Sequence, residues 1–266
     1  MKANLDARTV ADFGEQWTRY TDNSGYYGSI DLLADIFGPL LDVKRIRGMR
    51  VAEIGSGTGR VVNMLLEAGA AHVVAIEPSN AFDVLVARFS TVADNVKLVH
   101  SRGQSIADEH DLDLILSIGV LHHIENPSTV VAAARDALRE GGLLLIWLYG
   151  REGNENYLAF VQPFRALTRR LPHRALSALC WALTFVADLY IVACRFAPLP
   201  MQRYVTEVFA RMSRRKRHLI IYDQLNPAYA KYYLENEARE LLTAAGFTKV
   251  QLHHRHGYSW TVCGEL

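Results

Sequence analysis

VAEIGSGTGR, residues 51–60, is the stretch from which the fold is read. Val51 to Ile54 form a short apolar run with the look of a buried strand, and Gly55, Gly57 and Gly59 follow at alternate positions before Arg60-Val61-Val62 opens a helix. Glycine lacks a Cβ, tolerates positive φ and lets backbone approach a ligand closely. A strand, a glycine-rich turn and a helix N-terminus together make a nucleotide-type pocket with free N–H groups aimed at the ligand. A dinucleotide fingerprint, G-x-G-x-x-G, needs a glycine three places after the second one, and Arg60 stands there. Glu53, two residues before Gly55, would repel a pyrophosphate but would balance an ammonium or sulfonium group.

Moving outward, HVVAIEPSN supplies a second apolar strand, Val73 to Ile76, that finishes on Glu77. An acid at the end of the second strand, about 20 residues beyond the glycines, is placed to take both hydroxyls of a ribose. With Glu53 and Glu77 in this register, E-x-G-x-G-x-G resembles motif I of the class I S-adenosylmethionine (SAM) dependent methyltransferases. The resemblance implies an α/β fold, a doubly wound Rossmann-like sheet of about seven strands with a C-terminal antiparallel hairpin. It implies SAM as cofactor, held by Glu53, Gly55, Ser56, Gly57, Gly59, Glu77 and Pro78. It also places Gly103, Gln104 and neighbouring Ser105 against adenine, although Arg102 stands where the family often has Asp. Ser117, Ile118 and Gly119, ending the fourth strand, would pass the methionine portion. The following LHHIENP resembles the ubiquinone- and menaquinone-type small-molecule methyltransferases, whose corresponding strand often ends in a His pair before a helix start. His122 and His123 are thus the candidate bases, with His123 preferred; the alternative is a His that hydrogen-bonds backbone at the helix start.

Composition bounds the rest. The 266 residues are half hydrophobic with a formal net charge of +1, enough for one large domain and no global argument for nucleic acid or membrane. Cys180, Cys194 and Cys263 show no paired metal spacing, so no metal site is expected and a reducing compartment is. The N-terminus lacks the apolar run of a signal peptide, which makes the cytoplasm the expected location, with membrane association left open. Phe13, Trp17 and Tyr20 share one helical face that packs onto the sheet; in the resembled family such helices fold over the cofactor, which would bring Trp17, Tyr20, Tyr26 and Tyr27 to the site.

The chain divides into an N-terminal helical cap (1–50), a SAM-binding core (51–150), a helical insertion (151–233) and a completion of the core by a last helix and two strands (234–266). The apolar positions of residues 79–93 predict a helix with Phe82, Leu85, Val86 and Phe89 inward. The insertion holds 13 Lys and Arg against 5 Asp and Glu, leaving 16 against 23 elsewhere, so a basic lobe sits on an acidic base. Arg165, Arg169, Arg170, His173 and Arg174 form one basic cluster and residues 214–218, RRKRH, another. Between them residues 175–194 are long and apolar enough for a membrane span, with Asp188 their only charge. A span would strand the last two β-strands across the bilayer from their sheet, so a buried cap helix is expected, with an interfacial docking helix as the alternative. Asn226-Pro227-Ala228-Tyr229 is similar to an element of amino methyltransferases but lies in the wrong part of the chain. Within YDQLNPAYAKYY, Tyr222, Asn226 and Tyr229 are the substrate-pocket candidates.

The expected function is methyl transfer from SAM to a small-molecule or lipid-like acceptor, one with an anionic group being suited to the arginines, and with peripheral membrane contact through 165–195. Nucleic acid is not the expected partner. The alternatives are an RNA or protein methyltransferase using the basic cap, or a non-catalytic SAM-binding module docked on a partner or membrane.

Overall fold

The computed structural model describes residues 2–91, 94–168, 170–226 and 229–266. Those residues form a seven-stranded sheet around β1 (Arg50–Ile54), in the order β3-β2-β1-β4-β5-β7-β6. β2 (His72–Ile76) and β3 (Val96–Val99) lie on one side of β1, and β4 (Leu112–Ile118) and β5 (Leu138–Tyr149) on the other, all parallel. β7 (Ser259–Glu265) runs antiparallel between β5 and β6 (Thr248–Arg255). Strand order reverses between β1 and β4, and that reversal opens a crevice at their carboxyl ends, where open α/β sheets bind ligands.

Adjacent strand residues supply opposite faces of the sheet, which is why the central strands β1, β2 and β4 are mostly apolar on both. Val51, Val73, Leu114 and Leu145 enter the core on one face, covered by α2 (Ile30–Phe37) and α3 (Arg60–Glu67). Their neighbours Ala52, Val74, Ile115 and Ile146 enter the core on the other, covered by α5 (Ser128–Ala137) and by α10 (Glu235–Thr243). Ser29 Oγ accepts the Leu32 N–H at the start of α2, and Gly69 and Gly246 leave α3 and α10 with φ of 88° and 90°.

Two elements differ from the sequence expectation. The helix expected over 79–93 is α4 (Phe82–Phe89); Leu85 and Phe89, one turn apart, are buried beside Gly59, and Val86 is turned out to solvent. His122 and His123 do not extend β4 but sit in a 3-10 turn, Leu121–His123, reached through Gly119 at φ 80°.

α1 (Lys2–Arg19) lies over the crevice, coming so close that a Cβ on Gly14 would meet Asn80 Oδ1 at 2.1 Å. Between β5 and α10 come α6 (Glu155–Thr168), α7 (His173–Ala193), α8 (Gln202–Glu207) and α9 (Arg214–Leu225). The apolar helix expected to be buried is buried on one face only, where Leu176 and Cys180 of α7 meet Tyr222 and Leu225 of α9. Only 22% of its apolar window is covered. The basic clusters also divide: Arg165, Lys216 and His218 are buried, whereas Arg170, Arg174, Arg214 and Arg215 face solvent. Arg169, Pro227 and Ala228 lie outside the described residues.

Gly59, at φ 76°, is where α3 and α4 approach the glycine turn: a Cβ there would meet Phe89 Cε2 at 2.3 Å and Leu85 Cδ2 at 2.9 Å. Gly59→Ala is expected to cost about 1–3 kcal/mol through left-handed backbone and overpacking together. A urea unfolding midpoint equal to that of the native chain would contradict this.

Candidate active site

The glycine turn is held from behind by the end of β2. The Gly55 and Ser56 N–H groups both donate to the Ile76 carbonyl, at 2.8 and 3.0 Å. The Glu77 carboxylate then accepts the Gly57 N–H at 2.8 Å on one oxygen, and the Ser79 N–H (2.9 Å) and hydroxyl (2.5 Å) on the other. Three strong donors fix the carboxylate and leave it little free acceptor capacity. Gly55 and Gly57, at φ 81° and 51°, turn the backbone in the left-handed region.

Glu53 is the opposite case. It is 2% exposed, its Oε2 has no hydrogen-bond partner among the described residues, and burial, with the Glu77 charge adding to it, pushes the carboxyl up to about 8. A buried acid with one unpartnered oxygen, at the wall of a cavity, is a place for a donor that the protein itself does not supply.

That cavity measures about 620 Å³ and is continuous from the glycine turn to the helices after β5. At the turn end it is lined by Glu53, Gly55, Ser56, Gly57, Glu77 and Pro78, by Gly103 and Gln104, and by Ile118, Gly119 and His123. Gly59, Ser117, His122, Tyr222, Asn226 and Tyr229 do not line it. Gly59 instead packs α3 against α4, doing the close-packing work that a dinucleotide fingerprint assigns to its third glycine. Ser117 is wholly buried in β4, and His122 is wholly buried with its ring 3.8 Å from that of Tyr149.

The substrate-pocket expectation missed by one step of helical phase. The Tyr222 hydroxyl bonds His173 Nδ1 at 2.7 Å inside the α7–α9 contact, and Asn226 donates to the Asp12 carbonyl at 3.3 Å. Their neighbours Asp223, Gln224 and Leu225 line the cavity instead, with Tyr232. Asp223 accepts from Gln16 Nε2 at 2.9 Å and from the Tyr149 hydroxyl at 3.2 Å, and burial raises its carboxyl. Gln224 donates to the Tyr149 hydroxyl at 2.8 Å, while Arg165 donates to the Gln224 carbonyl (2.7 Å) and the Tyr232 hydroxyl (3.0 Å). Arg165 is thus an interior strut of this polar wall, apart from the exposed Arg170 and Arg174 with which the sequence grouped it in a basic cluster. Asp223 was legible as one of five acids in a basic insertion; its partner on β5, Tyr149, carried no sequence signal.

His123 is buried at the cavity wall and packs edge-on against Phe13 of α1 at 4.7 Å. Its Nδ1 is 2.7 Å from the Tyr229 carbonyl, which can only accept, so Nδ1 carries the proton and Nε2 keeps a lone pair with no partner among the described residues. Burial lowers the imidazole to about 4. Over the turn, Trp17 and Tyr27 line the cavity as expected for a closing segment, whereas Tyr20 packs on the α7–α9 contact and Tyr26 under Arg211. Asn23 and Thr58 exchange two hydrogen bonds, at 3.3 and 2.9 Å, that pin the N-terminal segment to the glycine turn.

The two perturbed groups pull stability in opposite directions. The folded protein keeps a proton on Glu53 that the unfolded chain loses, so this contribution is full below 4.5 and lost as pH rises toward 8. His123 contributes fully above 6.5 and loses its contribution as pH falls through about 4. Glu53→Gln should therefore gain stability over the native, ligand-free chain progressively between pH 4.5 and 8 in urea unfolding. A difference independent of pH would show that Glu53 is not the group that titrates.

A family model described as a methyltransferase domain matches residues 52–144. A tRNA U34 carboxymethyltransferase of Shewanella piezotolerans is 34% identical over 109 residues, 40% of this chain and 33% of that protein. The chain thus spans about a third of the length of that curated relative. A ubiquinone biosynthesis O-methyltransferase of Hydrogenovibrio crunogenus is 23% identical over 164 residues, 59% of this chain and 65% of that protein. Among solved structures, an O-methyltransferase family protein from Burkholderia thailandensis superposes with a TM-score of 0.52 at 12% identity, over 89% of this chain and 54% of that one, a likeness of fold. Strand order, glycine turn and family model agree, and the core of this chain is a domain of the class I SAM-dependent methyltransferases.

Proposed function

We propose that the protein transfers a methyl group from SAM to a small, largely apolar or lipid-like acceptor. The observation that carries this reading is one continuous cavity that joins the glycine turn to the tyrosine-rich wall after β5. At about 620 Å³ it falls in the size range of sites that enclose small molecules. Glu53 fits the cofactor: an enclosed carboxyl with one oxygen unpartnered is what a ligand carrying ammonium and sulfonium groups would occupy. Glu53 would hold the cationic end, the turn from Gly55 to Gly57 would leave room for its close approach, and Glu77 would keep that turn in shape.

When bound, SAM supplies an electrophilic methyl on a positively charged sulfur. The chain's own task is alignment and exclusion of water, worth up to about 7–11 kcal/mol in reactions of this kind. Phe13 and Trp17 of α1 roof the cavity, and Phe164 and Leu183 wall it from α6 and α7. Two groups in the wall can take a proton from the acceptor. His123 offers the bare Nε2, and Asp223 offers a carboxylate already oriented by Gln16 and Tyr149. We assign acceptor orientation to His123 and the proton to Asp223, because Asp223 stands on the wall built by the insertion.

An RNA acceptor is the second reading, and the name of the Shewanella relative favours it; that match is confined to 40% of this chain. Methyl-labelled SAM incubated with fractionated cell extract separates the two. Label is expected in the small-molecule or organic-soluble fraction, and label confined to RNA would overturn the first reading. With the acceptor in hand, Asp223→Asn should lower kcat about 10²–10⁴-fold with SAM affinity within about twofold of native. An unchanged kcat would remove Asp223 from the mechanism.

A further inference from the structure

α7 buries one stripe against α9 and leaves the other bare. Trp181, Phe185, Leu189, Val192 and Phe196 recur at helical spacing along α7 and its exit, exposed by 46–85%. α6 adds Phe160, exposed by 80%, and Leu167, exposed by 63%. So much exposed apolar surface on two helices that both pack on α9 marks an interaction face.

Charge says what meets it. Between residues 156 and 206 the sequence has one acid, Asp188, and that side chain is turned inward to Arg214 at 2.5 Å and to Arg217. Exposed Arg170 and Arg174 stand at the start of α7, and exposed Arg195 just past its end, so an apolar stripe about 30 Å long has a cation at each end. A second copy of the chain would bring those cations against their own kind, whereas an anionic lipid surface offers both an apolar layer and negative headgroups. α7 does not cross the bilayer: β7 follows it in sequence yet pairs with β5 over Leu143–Tyr149, which keeps the chain on one side.

We propose that the α6–α7 face docks on the surface of an anionic lipid bilayer, with the aromatic stripe in the interface and the arginines at the headgroups. Phe164 is partly exposed on this face and also lines the cavity, so the docking surface is one wall of the site. Docking does not depend on the methyl-transfer reading, and neither does its test.

The full-length protein is sedimented with vesicles of phosphatidylcholine alone and of phosphatidylcholine with phosphatidylglycerol. Binding is expected to the mixed vesicles, to weaken with salt, and to fall about 30-fold when Arg174→Ala and Arg195→Ala are combined. Phe185→Glu with Leu189→Glu should abolish it while the thermal unfolding midpoint stays unchanged, since both residues are exposed. Native protein that ignores both vesicle types would overturn the proposal. So would a native dimer that the Phe185→Glu, Leu189→Glu pair converts to monomer while vesicle binding is unaffected, because the face would then belong to a second copy.

Discussion

The hydrogen bond from the Gly57 N–H to Glu77 ties the loop after β1 to the end of β2. A turn with three glycines in the left-handed region gives up much conformational entropy on folding, and something must hold it. Glu77 does so with one carboxylate that bonds the turn through one oxygen and Ser79 through the other. The consequence is a fixed shelf of backbone at the switch point of the sheet, which lines the cavity together with Glu53. Glu77 thus shapes the pocket before it contacts any ligand.

The cavity is closed by segments far apart in sequence. α1 comes from the N-terminus, where Gly14 permits its close approach to Asn80, and Gln16 of the same helix reaches Asp223 on α9 at 2.9 Å. The Tyr149 hydroxyl on β5 meets the other oxygen of Asp223. Sheet, N-terminal helix and insertion therefore converge on one carboxylate, and a buried polar network of this kind is satisfied only when all three are in place.

The central sheet was legible because its causes are local. The apolar runs at Val51–Ile54 and Val73–Ile76, the alternate glycines, and the acids at fixed distances each carry their own signal, and the structure brings Glu53 and Glu77 to one cavity. The far wall was not legible to the same degree. Tyrosines 222 and 229 stood out in the sequence, but the face of α9 that meets the cavity depends on how that helix packs on α7, and the phase fell on Asp223. Arg165 was read with its charged neighbours as one basic cluster; its burial depends on Gln224 and Tyr232, some sixty residues away. Likewise, the exposed stripe of α7 could not be told from a buried one, since apolar content alone does not say which faces are covered.

The central claim is that Glu53 is a buried acid, protonated when the site is empty, whose partner is the cationic cofactor. Calorimetric titration of SAM at pH 7 in buffers of different ionisation enthalpy tests it most directly. With the carboxyl raised to about 8 in the free protein, binding should expel its proton, so the observed heat should change with the buffer, and Glu53→Gln should remove that change. Tight binding of SAM with a heat independent of buffer, or no binding at all, would contradict the assignment.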